Sequence, residues 1–320
     1  MSIFVSIASY CDPVLPFTLE QAVATARWPD RLHFGIVDQS PEPPRMTQPN
    51  GVNPARLTYL RLDPVYARGP CWARAIAMSL YDGEDWYFQI DSHMNFDAHW
   101  DERLAAQATA LLPGRKGVVL SSYPNAFVFE QGKPVSRPAT HKVLVHVVKT
   151  NTAFEADHPV LMFEAHPLEQ DEPVPAFHVG AGCLFASGGF AQEFPYDPWL
   201  YFHGEEQALA ARLFTHGWDM FHVPGLPVYH LYNTPDSGAP ARPMHWDTQH
   251  DTQRSQAWWT LEERARSRLA SLVGGEDLGA YSLGHARTMA EYGAFSGIDY
   301  AARNIADKAY RPQGRLPAAA

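Results

Sequence analysis

The N-terminal part of the chain alternates short apolar runs with helix-like stretches, and this alternation limits the possible folds more than any other feature. Strands are predicted at residues 3–8, 32–37, 57–62 and 86–90, and helices at 16–26 and 70–81. Parallel strands need crossover connections, which helices usually supply. The order of elements therefore predicts an α/β fold built on a largely parallel, doubly wound sheet.

The rest of the chain is predicted to mix strands, helices and Pro-rich loops. Helices are expected at 101–112, 205–216, 255–272, 286–292 and 300–309, and strands at 117–121, 126–129, 142–148, 177–186, 219–223 and 228–232. Gly180 and Gly182 indicate that something approaches the strand at 177–186 closely. Pro-rich stretches at 39–54 and 234–243 predict a loop and a boundary. We therefore predict one domain over 1–233 and a mostly helical extension over 234–320, frayed over 311–320.

Composition and charge exclude several classes of protein. Hydrophobic residues make up 46% of the chain and charged residues 19%, which is typical of a packed core. The net charge of −10 argues against nucleic acid as a partner, because phosphate backbones select basic surfaces. Cys11, Cys71 and Cys183 form no CxxC pair, and the N-terminus does not resemble a signal peptide. With no apolar run long enough to span a membrane, a soluble cytoplasmic protein is expected.

The triplet Asp91-Ser92-His93 directly follows the predicted strand at 86–90. Side chains alternate along a strand, so Asp91 and His93 point to the same side. A carboxylate and an imidazole at a strand end make half of a divalent-metal site, and strand ends are where open α/β sheets bind ligands. The alternative is an Asp that caps a turn beside a surface His.

Three further features could contribute to a site, and each has a plainer interpretation. Arg68 and Arg74 flank a helix start, where an arginine suits a diphosphate or forms a surface salt bridge. Glu205 and Glu206 begin another helix, where acids are favoured in any case. His230 sits among apolar neighbours and is either a core residue or a third metal ligand.

Several common motifs are missing from the sequence. The chain contains no GxxxxGK[ST] loop, no GxGxxG after a strand, no HExxH and no GxSxG. These absences argue against P-loop NTPases, Rossmann dehydrogenases, zincins and α/β-hydrolases.

A set of longer segments resembles one family along nearly the whole chain. The segments are IFVSIASYCDP (3–13), FGIVDQ (34–39), RGPCWAR (68–74), GEDWYFQIDSHMNFDAHWDERL (83–104), HVGAGCLFASGGF (178–190), PYDPWLYFHGEEQALAARLFTHGWDMFHVP (195–224), VYHLYN (228–233) and, more loosely, YSLGHARTMAEYGAFSGID (281–299). In these the chain resembles the GlcNAc-transferase family. Its eukaryotic members are cytoplasmic enzymes that attach N-acetylglucosamine to a hydroxyproline of a ubiquitin-ligase subunit.

The resemblance implies a GT-A type fold with a catalytic domain over 1–233, a retaining reaction and a UDP-sugar donor. It implies that the DxD-like Asp91 and His93, joined by His230 by analogy with the polypeptide N-acetylgalactosaminyltransferases, hold manganese or magnesium. The catalytic residues implied are Asp91, Glu205, Glu206 and Arg74. The residues implied to bind the donor nucleotide are Ser6, Ala8, Ser9, Tyr10, Asp12, Gln39, Arg68, Arg74, Asp91 and Ser92. Cys11 departs from the family pattern, which usually has arginine there.

The acceptor is expected to be a hydroxyl group on a protein or peptide. Its groove could be formed by the aromatic residues Trp199, Tyr201, Phe202 and Trp218, which could equally be core. Two other functions remain open. One is a nucleotidyltransferase on a similar fold, which would release pyrophosphate in place of UDP. The other is a nucleotide-sugar-binding module without turnover, which the intact Asp91, His93, Glu205 and His230 disfavour.

Overall fold

The computed structural model describes residues 1–42, 56–247 and 253–314. Its strands are β1 (Ile3–Tyr10), β2 (Leu32–Gln39), β3 (Leu57–Arg61), β4 (Trp86–Asp91), β5 (Met94–Phe96), β6 (Val118–Ser121), β7 (Asn125–Glu130), β8 (Lys133–Arg137), β9 (Val143–Val148), β10 (Phe163–Leu168), β11 (Val174–Ala176), β12 (Cys183–Ser187), β13 (Asp219–His222), β14 (Val228–His230), β15 (Ile298–Asp299) and β16 (Asn304–Ile305). Its helices are α1 (Leu15–Thr25), α2 (Pro70–Met78), α3 (Trp100–Leu111), α4 (Gly189–Glu193), α5 (Glu205–Thr215), α6 (Trp258–Val273) and α7 (Met289–Ser296). Most of the Pro-rich loop predicted at 39–54, and the end of the tail predicted to fray, lie outside the described residues.

The central sheet has eight strands in the order β11-β13-β6-β12-β4-β1-β2-β3. Strands β4, β1, β2 and β3 are mutually parallel, as predicted, and so are β6 and β13. Strand β12, however, is antiparallel to both β4 and β6. The chain enters β12 at the end of the sheet where β4 finishes, since the Asp91 amide donates to the Gly182 carbonyl at 3.2 Å. The sheet is therefore mixed rather than largely parallel.

Alternating side chains give the sheet an apolar layer on each face. Ile3, Val5 and Ile7 of β1 belong to the cluster that packs against α1 and α3. Phe4, between them, belongs to the cluster that contains residues of α2, α5 and α6. Both layers are almost fully buried, and burial of each large apolar side chain stabilises the fold by roughly 1.5–3 kcal/mol. The two faces confirm a doubly wound α/β architecture.

A smaller sheet, in the order β5-β14-β7-β8, brings the second half of the chain beside the end of β4. In it, β14 pairs antiparallel with β5 and places His230 opposite Met94. The sequence pattern predicted β7 and β14 but not β5 or β8. This pairing matters for the site because Met94 directly follows His93.

The C-terminal helices pack on the same core as the domain before them. Leu261 and Leu269 of α6 share an apolar cluster with Leu209 of α5. The boundary predicted at residue 233 remains a prediction. In the described ranges, no helix is both long enough and apolar enough to cross a bilayer.

Two predicted elements differ from the structure. The strand expected at 177–186 begins only at Cys183, because a turn with a hydrogen bond from the Cys183 amide to the Gly180 carbonyl precedes it. The helix expected at 300–309 is absent. Its residues form β16 and a 3-10 turn after Arg303, which has a positive φ of 50° that helices do not allow.

Candidate active site

A cavity of about 330 Å³ opens at the end of the sheet where β1 and β4 finish. Asp91 ends β4, and the register of the parallel strands places it beside Ala8 of β1. The Cβ that an alanine would carry at position 182 would lie only 2.3 Å from Oδ2 of Asp91, so glycine there leaves room for the carboxylate. This is the close approach that the glycines of the segment predicted. The cavity therefore lies where α/β sheets generally bind ligands.

Three of its side chains converge as a metal site would require. The Nε2 atoms of His93 and His230 are 3.0 Å apart, and Nε2 of His230 is 3.3 Å from Oδ2 of Asp91. Potential ligand atoms of all three residues lie within 4.8 Å of one another. The pairing of β14 with β5 brings His230 to the other two. The structure thus assembles the three residues that were predicted to hold a metal.

Asp12 lies behind this triad and orients one of its imidazoles. Oδ2 of Asp12 accepts hydrogen bonds from Nδ1 of His93 and Oγ of Ser92, both at 2.7 Å, while Oδ1 accepts from the Val14 amide at 2.9 Å. A carboxylate on Nδ1 fixes the tautomer that leaves Nε2 facing the cavity, as is usual for metal-bound histidines. Asp12 was predicted to bind the nucleotide. Its contacts in the structure are those of a residue that positions His93.

The electrostatics of the triad suit a divalent ion. Burial would raise the pKa of Asp91, but the hydrogen bond from His230 and the charge of Arg74 hold it below its ordinary value. Burial lowers the pKa of His230, which keeps its imidazole neutral. Two imidazoles with one carboxylate fit manganese and other borderline ions better than magnesium, which prefers oxygen ligands.

Arg74 ties the triad to the start of α5. One of its terminal nitrogens, Nη2, donates to Oδ1 of Asp91 at 2.8 Å, and Nη1 donates to Oε1 of Glu205. Oε2 of Glu205 accepts from Sγ of Cys71 at 2.6 Å and from the hydroxyl of Tyr196 at 3.2 Å. Burial raises the pKa of Glu205. Arg74 was expected to bind a diphosphate. In the structure its terminal nitrogens join two carboxylates instead.

Glu206 faces a different set of partners from its neighbour. Its Oε1 accepts from the Ala181 amide at 2.7 Å, and its Oε2 accepts from the hydroxyl of Tyr123. The buried Nε2 of His178 lies 3.4 Å from the same carboxylate and 3.3 Å from the Tyr123 hydroxyl. Both glutamates therefore point inward from the helix start, and neither is only a helix-dipole partner.

The other predicted residues divide into those at the cavity and those away from it. The predicted donor residues that line the cavity are Ala8, Ser9, Tyr10, Asp12, Gln39, Arg74, Asp91 and Ser92. Ser6 does not, because it is fully buried within β1 between Gly35 and Gln89. Arg68 is exposed, and its guanidinium lies 5.8 Å from the Trp72 ring. Its assignment and that of Ser6 to the donor are not supported.

Sequence reasoning missed a wall of the cavity formed by the segment after β14. Arg242, Met244, His245 and Trp246 line it, together with Tyr123 and Tyr232. Burial lowers the pKa of His245 to about 3, so its imidazole is neutral. The segment has no strand or helix period, and its Pro-rich composition indicated only a boundary. No signal in the sequence would have assigned it to the site.

Position 11 has cysteine, where the family resemblance of the sequence leads us to expect arginine. A cation nevertheless lies close by, because the guanidinium of Arg254 lies 5.5 Å from the Tyr10 ring and donates to the Tyr10 hydroxyl. Sγ of Cys11 donates to the Gln39 carbonyl at 3.4 Å. Arg254 follows the boundary predicted at 233, so the C-terminal part of the chain contributes charge at this end of the cavity.

A second cavity, of about 620 Å³, adjoins the first. Residues that line both are Tyr123, Pro124, Phe202, Glu205, Glu206 and Tyr232. Of the four aromatic residues considered for an acceptor groove, Phe202 lines this cavity. Trp199 is 49% exposed, and Tyr201 and Trp218 are core residues. The arrangement allows two molecules to meet at Glu206.

Comparison with known proteins identifies the family. The GlcNAc glycosyltransferase family model matches residues 2–58 and 50–302, almost the whole chain. A crystal structure of GalNAc-T7 with UDP, GalNAc and Mn²⁺ matches with a TM-score of 0.55 and 15% identity, over 74% of this chain and 45% of that one. A structure of S. aureus TarS with UDP-GlcNAc matches with a TM-score of 0.41 and 12% identity, over 86% of this chain and 74% of that one.

The structural matches and the family match support different conclusions. A search of curated proteins found no match. This chain spans less than half the length of the GalNAc-T7 structure, and at such low identity the structural likeness establishes the fold alone. The family model, in contrast, covers nearly all of the sequence. The chain therefore belongs to the GlcNAc glycosyltransferase family and has a GT-A type fold.

Proposed function

We propose that this protein transfers N-acetylglucosamine from UDP-GlcNAc to a hydroxyl acceptor, with a divalent metal ion and with retention of anomeric configuration. The observation that carries the proposal is the triad of Asp91, His93 and His230 in a cavity at the strand ends. The family match supports the sugar. The GalNAc-T7 structure, which contains UDP and Mn²⁺, has the same fold and supports both the nucleotide and the ion.

In this mechanism the chain binds the donor by its diphosphate and stabilises the leaving group. Asp91, His93 and His230 would hold a divalent ion, which would supply positive charge against the diphosphate. Asp91 stays ionised because its pKa is lowered, and Arg74 holds its carboxylate in place. Asp12 keeps His93 in the tautomer that presents Nε2. Groups fixed before the reaction stabilise developing charge without reorganising, which is where catalysis gains most.

The chemical step exchanges one bond at the sugar carbon for another. The bond from the anomeric carbon to the diphosphate oxygen breaks, and a bond to the acceptor oxygen forms on the same face. The acceptor proton passes to the leaving diphosphate oxygen, and UDP is released. This front-face step needs no strong base, so Glu205 and Glu206 position the donor and acceptor. If the reaction inverts configuration, one of them is the natural base.

The second cavity provides space for the acceptor beside the donor. Glu206 lies at its junction with the first cavity, where its carboxylate is held by Tyr123 and Ala181. A protein or peptide hydroxyl is the acceptor that we propose there. Three unpaired cysteines agree with a reducing compartment, and we propose a cytoplasmic location on that ground.

Product analysis tests this function directly. The protein with MnCl₂ is incubated with a panel of UDP-sugars, and the products are identified by mass spectrometry. We expect UDP to be released fastest from UDP-GlcNAc, even if water is the acceptor. Asp91→Ala and His93→Ala should abolish the release. A nucleotidyltransferase would instead release pyrophosphate in a parallel reaction with UTP and a sugar 1-phosphate, and binding without any product would indicate a module that lacks turnover.

A further inference from the structure

We propose that Arg242, which lies outside the predicted catalytic domain, binds the diphosphate of the donor. The inference rests on the proposed function and adds a binding residue to it. Arg242 belongs to the segment after β14 and lines the donor cavity. Neither its spacing from other motifs nor the composition of its segment indicated this role.

One hydrogen-bond donor of Arg242, Nη1, is buried and has no partner among the described residues. Its Nη2 donates to the Leu231 carbonyl at 2.8 Å, which anchors the side chain to the residue after His230. Its Nη1 has no hydrogen-bond partner among the described residues and lies 3.9 Å from Oδ2 of Asp12, too far for a hydrogen bond. The side chain is only 8% exposed. A buried guanidinium with an unfilled donor is costly unless an anion binds to it.

The neighbouring charges do not satisfy this cation. Asp12 directs its carboxylate oxygens to His93, Ser92 and the Val14 amide. Burial lowers the pKa of Arg242, as expected for a cation whose counter-charge is incomplete. A ligand anion at this point of the cavity would complete it.

A diphosphate is the anion that fits the position. Arg74, the other arginine lining the cavity in the described part of the chain, already uses both terminal nitrogens on Asp91 and Glu205. Arg242 lies next to Asp12 and therefore on the His93 side of the metal triad. A diphosphate bound through an ion at the triad would lie in the cavity that Arg242 also lines, and guanidinium geometry suits phosphate oxygens.

This assignment predicts that loss of the Arg242 charge affects Mn²⁺ affinity and UDP affinity in different ways. Without nucleotide, the charge of Arg242 repels a dication at the triad, whereas with the diphosphate present it attracts the complex. Arg242→Met should therefore leave Mn²⁺ affinity unchanged or higher. It should lower the affinity for UDP at saturating Mn²⁺ by about 10- to 100-fold, as expected for loss of a hydrogen bond to a charged group.

The test measures Mn²⁺ binding by electron paramagnetic resonance and UDP binding by calorimetry. Arg242→Lys should retain part of the UDP affinity because it keeps the charge. Arg264→Met is the matched control. That guanidinium lies 5.0 Å from the Trp199 ring and is not among the cavity-lining residues, so we expect wild-type binding.

Three results would overturn the inference. The first is unchanged UDP affinity in Arg242→Met. The second is an equal loss of Mn²⁺ and UDP affinity, because that would mean that the substitution only disturbs β14 and His230. The third is failure of the wild-type protein to bind UDP with Mn²⁺, which would also overturn the proposed function. In the first two cases the proposed function survives, so the two failures can be told apart.

Discussion

Replacing Asp12 with asparagine tests how the chain orients His93. The amide keeps the shape of the side chain but removes the negative charge that accepts the 2.7 Å hydrogen bond from Nδ1 of His93. In either orientation its NH2 group also faces a donor, because Ser92 and His93 donate to one carboxylate oxygen of Asp12 and the Val14 amide donates to the other. Loss of such a carboxylate typically costs about 10- to 100-fold in metal affinity, or roughly 1.4–2.7 kcal/mol. We expect Mn²⁺ to bind to Asp12→Asn more weakly by that factor.

Titration of Mn²⁺ at pH 7.5 by electron paramagnetic resonance gives the affinity, and Ser92→Ala is the control. That variant removes one hydrogen bond to Asp12 but leaves His93 its partner, so we expect a change of less than about threefold. An Asp12→Asn affinity within threefold of wild type would refute the reasoning. Equal losses in the two variants would refute it as well.

Asp12→Asn should also change how the free energy of unfolding depends on pH. Burial would raise the pKa of Asp12, but the hydrogen bond from His93 holds it below its ordinary value of 3.8. A lowered carboxyl pKa stabilises the folded state above the unfolded value, and this contribution is lost as the pH falls through the folded value. The difference in free energy of unfolding between wild type and Asp12→Asn should therefore be largest near neutral pH and shrink below pH 3.8. A constant difference would contradict this.

Three further predictions address other parts of the site. Gly182→Ala should abolish Mn²⁺ binding because the added Cβ would lie 2.3 Å from Oδ2 of Asp91. The control is Gly189→Ala, whose added Cβ would meet no atom within 4 Å and which should bind Mn²⁺ like the wild type. Wild-type Mn²⁺ binding in both variants would contradict the packing argument. Glu205→Gln should lower kcat more than UDP affinity, and equal losses would count against a role at the sugar. Burial raises the pKa of Cys11 to about 11, so its alkylation rate in the native protein should rise about tenfold per unit between pH 8 and 10; a plateau in that range would contradict the raised pKa.

The three candidate metal ligands could be named from the sequence because two of them, Asp91 and His93, are close together in the chain. Asp91 ends β4, and His93 lies two residues later in the bend before β5, while the apolar strand pattern puts His230 at a strand end. What the sequence does not supply is the pairing of β14 with β5, which brings His230 to the others. That pairing depends on contacts between segments far apart in the chain.

The roles of the surrounding charged residues could not be derived in the same way. Asp12 and Arg74 line the cavity, but their partners depend on how β1, α2 and α5 pack together. Arg242 and Tyr123 lie in irregular segments without periodicity, so nothing in the sequence pointed to them. The helix expected at 300–309 failed because Arg303 adopts a positive φ, a backbone conformation that composition alone does not reveal.

The most direct test of the account is a crystal structure of the protein with UDP and Mn²⁺, with anomalous scattering used to locate the ion. We predict one manganese peak, at a position where Oδ2 of Asp91 and the Nε2 atoms of His93 and His230 coordinate the ion. The UDP diphosphate should bind to the same ion. An ion at any other position, or UDP bound away from these three side chains, would contradict the account.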